Sequence, residues 1–406
     1  MINGWSVLGT LTRMGGVDGT RAAMNQHGVE VLSDLRQLEQ TAGAWDALAV
    51  ETSHPYCAPG WALPWWSLAR PPRAKLRAVA LRDGLDLVGL APLYLCRDVV
   101  GIVRAHLLAD TASSYIEPLV KPELSETMAL AIATVLSSAG ARADVLSLGP
   151  IPRSSPWPAL LTRSWPGRQP QLSLVKSMNA PYVDIPIGGF DDWLGSRSAN
   201  FRQQVGRRRR GFIKRGGSFV RASSADEVRL ALEDFVRLHA LRWNQRGGSQ
   251  ALTEPIAHML QAATNRLDPR RLQLWTAHLG DFAIGSALFV TAGSEVHYWL
   301  GGFDDTYGHL SPSLLLLVEC IRHAGEEGHC KLVLGPGAQP YKYRLATGED
   351  ILDWIDIVPH NGRYPYVRLC QSPYDLYRYI STRTPPRLKT WLRSSVAGVL
   401  GEHRER

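Results

Sequence analysis

The sequence predicts two duplicated α/β domains, each a mixed, mostly antiparallel sheet flanked by helices. Three observations lead there. An order of helix, three strands, helix and strand occurs twice along the chain. Both rounds close on the same tripeptide, Leu148-Gly149-Pro150 and Leu334-Gly335-Pro336. The length of 406 residues, with 45% hydrophobic and 20% charged side chains, suits two ordinary globular domains that each bury a core.

Residues 1–28 carry Gly, Thr and Asn without periodicity and read as a loose leader. Domain one spans 29–181. It opens with a strand and a helix, Ser33 being the expected cap, with Leu35, Leu38, Ala42 and Trp45 at helical spacing. The Trp- and Pro-rich stretch His54–Arg70 predicts a short packed helix whose indoles (Trp61, Trp65, Trp66) serve the core. Leu76–Leu81 and Leu87–Leu95 flank Arg82-Asp83-Gly84, a hairpin signal. A polar stretch, Asp110–Tyr115, precedes a helix from Pro122 to Ser138 and a strand, Ala143–Leu148, that ends at Gly149-Pro150.

Domain two spans 182–373 and begins with a basic helix around Asp191–Gly216. Ser224 to Glu227 is a capping box before a long amphipathic helix reaching about Trp243. Leu272–Ala277, Phe282–Val290 and Glu295–Gly301 are the three strands. Ser311 stands as N-cap with Pro312 at the first helical position, where a missing amide hydrogen costs nothing. Leu314, Val318 and Ile321 share a face, Gly325 and Gly328 offer stops, and Lys331–Leu334 is the closing strand. Residues 374–406 read as a helix, a Pro-Pro break and a basic amphipathic helix expected to pack on the body.

A net charge of +8 favours an anionic partner, and the excess gathers at Arg197–Arg221 and beyond Arg378. No apolar run approaches the ~18 residues a membrane span needs, so integral membrane association is not expected. The amino terminus lacks the plan of a signal peptide. Five scattered cysteines without a C-x-x-C give neither a disulfide framework nor a zinc site, and no metal is expected. The reading is a cytoplasmic protein. Absence of G-x-S-x-G, Walker A, H-E-x-x-H and a dinucleotide fingerprint removes support for hydrolase, kinase and dehydrogenase classes.

Asn200 to Arg215 places Phe201, Val205 and Phe212 on a narrow apolar stripe and leaves Arg207, Arg209 and Arg210 largely outside it. Four consecutive arginines repel one another, which favours a phosphate-bearing partner over a plain solvated face. Nothing resembles DNA-binding grammar. On the next helix His239 shares a face with Phe235 and Arg242, and Trp243 follows. The residue is either a core histidine or a base tuned by burial. Past the last strand, Lys342 and Arg344 alternate as in an extended chain and would face the same way, ready to hold a phosphate or a developing oxyanion. Gln339, Tyr341 and Tyr343 add neutral hydrogen-bonding groups.

These pieces together resemble a known family. The helix Asn200-Phe201-Arg202…Arg207-Arg208, then His239…Arg242-Trp243, Tyr298-Trp299-Leu300-Gly301-Gly302-Phe303-Asp304, Ser311-Pro312, and Leu334-Gly335…Tyr341-Lys342-Tyr343-Arg344 are similar to the GNAT-type acyltransferase domain of the cellulose-biosynthesis-associated, CelD-like family. The first half, with Trp61–Trp66 and Ala91-Pro92-Leu93, resembles that family's degenerate companion. The resemblance implies tandem GNAT-like domains and transfer of an acyl group from coenzyme A, acetyl or longer, to a small-molecule or peptide amine. It implies that Gly308–Ser311 occupies the pyrophosphate loop, that Tyr298, Trp299 and Leu300 lie where a splayed strand binds pantetheine, and that Tyr341, Lys342 and Arg344 lie at the catalytic mouth. His239 is then a base or anchor, Arg207 and Arg210 assist donor phosphates, and Arg242, Trp243 and Gln339 face the acceptor. The family loop is Gln/Arg-x-x-Gly-x-Gly/Ala, whereas here Tyr307-Gly308-His309-Leu310-Ser311-Pro312 holds one glycine. The same tandem plan is similar to Fem-type transferases, which take aminoacyl groups from tRNA, so a tRNA donor stays open, as does a non-catalytic scaffold for anionic ligands.

Overall fold

The fold is taken from a computed structural model, which describes residues 27–244, 248–249 and 251–371. All but the last two residues of the expected leader, and the basic segment 374–406, lie outside the described residues. In chain order the first half contains β1 (Gly28–Leu32), α1 (Leu35–Gln40), α2 (Ala42–Glu51), α3 (Pro59–Leu68), β2 (Lys75–Leu76), β3 (Ala78–Asp83), β4 (Asp86–Ala91), β5 (Leu93–Arg97), β6 (Val103–Leu107), β7 (Leu119–Val120), α4 (Ser125–Ser137), β8 (Val145–Pro152), α5 (Trp157–Ser164) and β9 (Gln171–Asp184). The second half contains α6 (Gly189–Gly195), α7 (Ala199–Lys214), β10 (Gly217–Arg221), α8 (Ala225–Asn244), α9 (Glu254–Thr264), β11 (Leu272–Leu279), β12 (Phe282–Ala292), β13 (Glu295–Phe303), α10 (Pro312–Glu326), β14 (Lys331–Val333), α11 (Pro340–Leu345) and β15 (Gly348–Val358).

Local chemistry sets most of these boundaries. The β3–β4 hairpin turns at Gly84, whose φ of 60° is cheap only for glycine. The capping box closes as expected, with Ser224 Oγ accepting from the Glu227 amide and Glu227 Oε2 accepting from the Ser224 amide. At α1 the cap is Asp34, not Ser33, because Asp34 accepts from the Arg36 amide at 2.8 Å while Gln37 reaches back. β8 does not end at Gly149-Pro150 but runs through it to Pro152, pairing with β15. The single basic helix expected over 191–216 is two, because Ser198 caps a fresh start by accepting from the Phe201 amide.

Four strands form a small sheet in the order β1-β3-β4-β7, and eleven form the main one, β10-β11-β12-β13-β14-β9-β15-β8-β6-β5-β2. The duplication is visible in the main sheet. β6 and β8 are parallel with α4 in their crossover, and β13 and β14 are parallel with α10 in theirs. The strand that follows each pair changes sides. β9 pairs with β14, β15 pairs with β8, and the two exchanged strands pair with each other along their length. The expected boundary near Tyr182 thus falls inside β9, a strand of the first half that completes the sheet of the second.

α10 is buried almost all round, through Leu314, Leu315, Leu316, Leu317, Val318, Cys320, Ile321 and Ala324. At ~1.5–3 kcal/mol per buried aliphatic side chain it is a principal anchor of the second half. Its entry is fixed by Pro312, which lies where a side chain on Gly285 would be. All five cysteines are free.

Candidate functional site

The two parallel strands of the second half separate partway along. β13 pairs with β14 only through Glu295↔Lys331, Val296↔Leu332 and His297↔Val333. After Val333 the chain turns away through Gly335 (φ 73°) and Gly337 (φ 115°), while β13 continues to Phe303. On its other edge β13 slips register against β12, with Leu288 opposite Leu300 and Phe289 opposite Tyr298, which makes Trp299 a bulge residue. A bulge adds a bend and local twist. The result is a wedge whose vertex is His297 and whose walls are Tyr298 onward and the Gly335-Pro336-Gly337 turn. A Cβ on Gly335 would stand 3.1 Å from the Tyr298 carbonyl oxygen.

Lys342 sits at this wedge, 4% exposed, donating from Nζ to the Gly335 and Pro336 carbonyl oxygens at 3.0 and 2.9 Å. No carboxylate faces it among the described residues, and burial draws its ammonium down to about 8. Tyr341 and Tyr298 pack against the same core, and burial raises both phenols. Arg242 lies near Tyr341, stacks over Phe303 at 4.2 Å and pairs with Asp305. The structure therefore brings Arg242, Tyr298, Tyr341 and Lys342 together.

It does not gather the other expected residues at the same place. Lys342 and Arg344 are not on an extended chain; Pro340 starts α11, and two steps along a helix turn side chains to nearly opposite sides. Arg344 therefore leaves the wedge, bonds Gln204 and stacks over Phe201 at 5.3 Å. Trp299 and Leu300 pack toward the first half. The Trp299 indole donates to the Ala112 carbonyl at 2.8 Å and meets Trp61 edge-on. Gln339 is exposed, its amide folded over Gly337. Trp243 is exposed beside His239, ring centroids 6.0 Å apart.

The link from β13 to α10 is a 3-10 turn, Asp305–Leu310, with Asp304 accepting from the Thr306 amide at 2.9 Å. Ser311 holds the N-cap position expected of it, but in the left-handed region (φ 57°) and with no capping bond from its hydroxyl. Helix starts of this kind attract anions. Gly308 has room for a Cβ, its nearest neighbour being Phe303 at 3.6 Å.

Along α7 the arginines divide. Arg209 binds buried Glu319 of α10 at 2.5 Å, a partner 110 positions away that local sequence does not announce. Arg207 and Arg210 are exposed, and neither they nor Arg208 has a carboxylate partner among the described residues. Arg208 is held below its ordinary value by burial and then by neighbouring Arg344 and Arg207, so these three cations share one patch.

The two histidines of the site differ in kind. His239 is 1% exposed and occupied at both nitrogens, Nδ1 by the Gly301 carbonyl at 3.3 Å and Nε2 by Ser249 at 2.8 Å. Burial lowers its pKa. His297, which sequence reasoning passed over, is also 1% exposed, with Nε2 2.8 Å from the Glu295 carboxylate and Nδ1 buried without a partner among the described residues. The signal was available in Glu295-Val296-His297, where strand alternation puts acid and imidazole on one face.

Residues 199–343 match the family described as acetyltransferase (GNAT) domain. No curated protein sequence matches the chain. Among solved structures, FemX is similar over 83% of this chain and 99% of its own at 13% identity, with a TM-score of 0.59. L-PGS from Bacillus licheniformis is similar over 83% and 95% at 13% identity, TM-score 0.52. A conserved protein of unknown function from Bacteroides thetaiotaomicron is similar over 82% and 100% at 9% identity, TM-score 0.51. At these identities the likeness is one of fold. The chain is two mixed α/β halves with sheets flanked by helices, and the second contains the stretch that matches the acetyltransferase (GNAT) domain of a transferase enzyme. No helix among the described residues is long and apolar enough to cross a membrane.

Proposed function

We propose that the chain is a cytoplasmic N-acyltransferase of CelD-like type that moves an acyl group from a coenzyme A thioester to an amine. The observation that carries this is the bulged, splayed β13 beside β14. A wedge between strands offers backbone groups to a pantetheine arm and keeps water from the thioester, while the chain positions the carbonyl for attack. In this reading the donor's diphosphate meets the start of α10 near Gly308 and Ser311, and Arg207, Arg208, Arg210 and Arg344 neutralise its outer phosphates. Lys342 and the Tyr298–Tyr341 pair sit closest to the carbonyl and stabilise the charge that forms on its oxygen. His239, held on both nitrogens, fixes α8 against Gly301 and presents Arg242 and Trp243. No metal is needed for this chemistry. Thiol release from acetyl- and longer acyl-coenzyme A, followed with a panel of primary amines, tests the reading. Amine-dependent release is expected, and none with any pair overturns it.

A second reading keeps the fold and changes the donor to aminoacyl-tRNA, as in the Fem-type resemblance. Its support is the length of the basic face, for Arg202 to Arg215 extends ~20 Å along α7, longer than a diphosphate needs. Steep salt-dependent tRNA binding that collapses in an Arg207→Ser/Arg208→Ser variant would favour it. A non-catalytic scaffold on this fold would bind polyanions by the same face and turn over neither donor.

A further inference from the structure

We propose that His297 and Glu295 form the proton-accepting dyad for the acceptor amine, which would make the seam between the two halves the acceptor side of the reaction. This deepens the N-acyltransferase reading and rests on it. Three observations converge. His297 is the last residue of β13 paired to β14, so the imidazole stands at the vertex of the wedge, next to the point where the strands part. Glu295, two residues earlier on the same face, holds Nε2 at 2.8 Å. A proton on Nε2 shared with a carboxylate leaves Nδ1 as a bare acceptor, the tautomer a general base requires. And Nδ1 is buried with no partner among the described residues, as is His54 Nδ1 close by, whereas buried polar atoms are ordinarily satisfied.

The surroundings name the class of acceptor. From the first half, the Tyr56 and Tyr115 rings meet His297 edge-on at 5.4 and 5.3 Å, and His54 pairs with Glu117 at 3.6 Å. From the second half, Lys331 of β14 binds Asp350 of β15 at 3.2 Å, and Tyr115 donates to the same carboxylate. Burial lowers His297 despite the Glu295 bond, so the ring stays neutral. Burial alone would raise Glu295, but His297, Lys331 and His54 outweigh it and keep it ionised. Three carboxylates (Glu117, Glu295, Asp350) against one lysine favour an alkyl ammonium over an anionic acceptor. Such an amine arrives protonated and must lose a proton before it can attack.

The step balances without a co-reactant. The ammonium gives one proton to His297 Nδ1, which passes it to solvent. The nitrogen lone pair forms a C–N bond to the thioester carbon, the C–S bond breaks, and the departing thiolate takes the second proton from nitrogen. Products are the amide, the free thiol and one proton.

His297→Asn and Glu295→Gln test the assignment in the full-length protein. Coenzyme A thioester affinity, measured by calorimetry, is expected to stay within about twofold, which also reports that the fold is intact. With an alkyl amine, kcat/KM is expected to fall by ~100-fold or more in His297→Asn. Hydroxylamine, largely deprotonated at neutral pH, needs no base, so its turnover is expected to fall by less than about tenfold. Equal loss with both acceptors, or no loss with either, overturns the dyad while leaving the transferase reading standing. A wild-type protein that turns over neither acceptor overturns both. If His297→Asn fails to fold, Glu295→Gln carries the test: the same preference for hydroxylamine over the alkyl amine is expected, and a variant at wild-type rate with both overturns the proposal.

Discussion

At Gly302 the backbones of α8 and β13 are in close contact, and Gly302→Ala tests how the site is held. A methyl there would lie 2.4 Å from the His239 amide nitrogen and 2.6 Å from both the His239 Cα and the Leu238 carbonyl carbon. Ordinary contact is about 3.5–4.0 Å, so the helix must retreat by roughly 1 Å. The obstructing atoms are backbone and cannot rotate aside. The cost therefore belongs near the top of the overpacking range, about 3 kcal/mol. The retreat also stretches the 3.3 Å contact from His239 to the Gly301 carbonyl and shifts Arg242 away from Phe303 and Asp305. Thermal or denaturant unfolding reads the stability loss, and activity should fall alongside it. Gly308→Ala is the control, since its methyl meets only Phe303 at 3.6 Å. A Gly302→Ala protein as stable as Gly308→Ala would refute the reasoning, because α8 could not then be seated as described.

Three further outcomes follow from the same geometry. Gly308→Ala should leave stability within ~0.5 kcal/mol yet weaken thioester binding if a diphosphate approaches that backbone, which calorimetry decides. Arg209→Ala leaves buried Glu319, among the described residues, with only the longer 3.9 Å pairing to Arg322 and should cost on the order of 1–3 kcal/mol in unfolding, whereas Arg207→Ser should change stability little and reduce donor affinity. Lys342 gives a pH signature. Below about pH 8 its amine is charged in both folded and unfolded chains, so the burial cost is carried in full. Between about 8 and its ordinary 10.5, only the unfolded chain holds the proton, and stability rises with pH. Wild type should therefore gain on Lys342→Met between those values by on the order of 3 kcal/mol in paired denaturation curves. A pH-independent difference would mean the amine is not buried as described.

Much of the fold was legible because its signals are local. The capping box at Ser224, the Asp83-Gly84 hairpin and the Ser311-Pro312 start all depend on neighbours within a few residues. The exchange of β9 and β15 was not legible, since strand partners are chosen by packing across the whole sheet, and an alternating pattern does not name its partner. The site was read unevenly for the same reason. Lys342 was singled out by its residue type and lies at the wedge, but its expected alignment with Arg344 was lost when Pro340 began a helix instead of a strand. Trp299 lies in the expected strand, yet the bulge turns it to the first half. Arg209 looked unpaired because Glu319 is distant in sequence, and His297 was missed although its two-residue spacing from Glu295 was in plain view.

The central claim is that the donor lies in the wedge between β13 and the Gly335 turn. Calorimetric titration of acetyl- and longer acyl-coenzyme A into wild type and Gly335→Ala tests it most directly. The added methyl would sit 3.1 Å from the Tyr298 carbonyl, inside the wedge, on a residue whose φ of 73° already favours glycine. Wild type should bind a thioester, and Gly335→Ala should bind it at least about tenfold more weakly, a loss of ~1.4 kcal/mol. Equal affinity in the two proteins, or no binding of any thioester by wild type, would contradict the account.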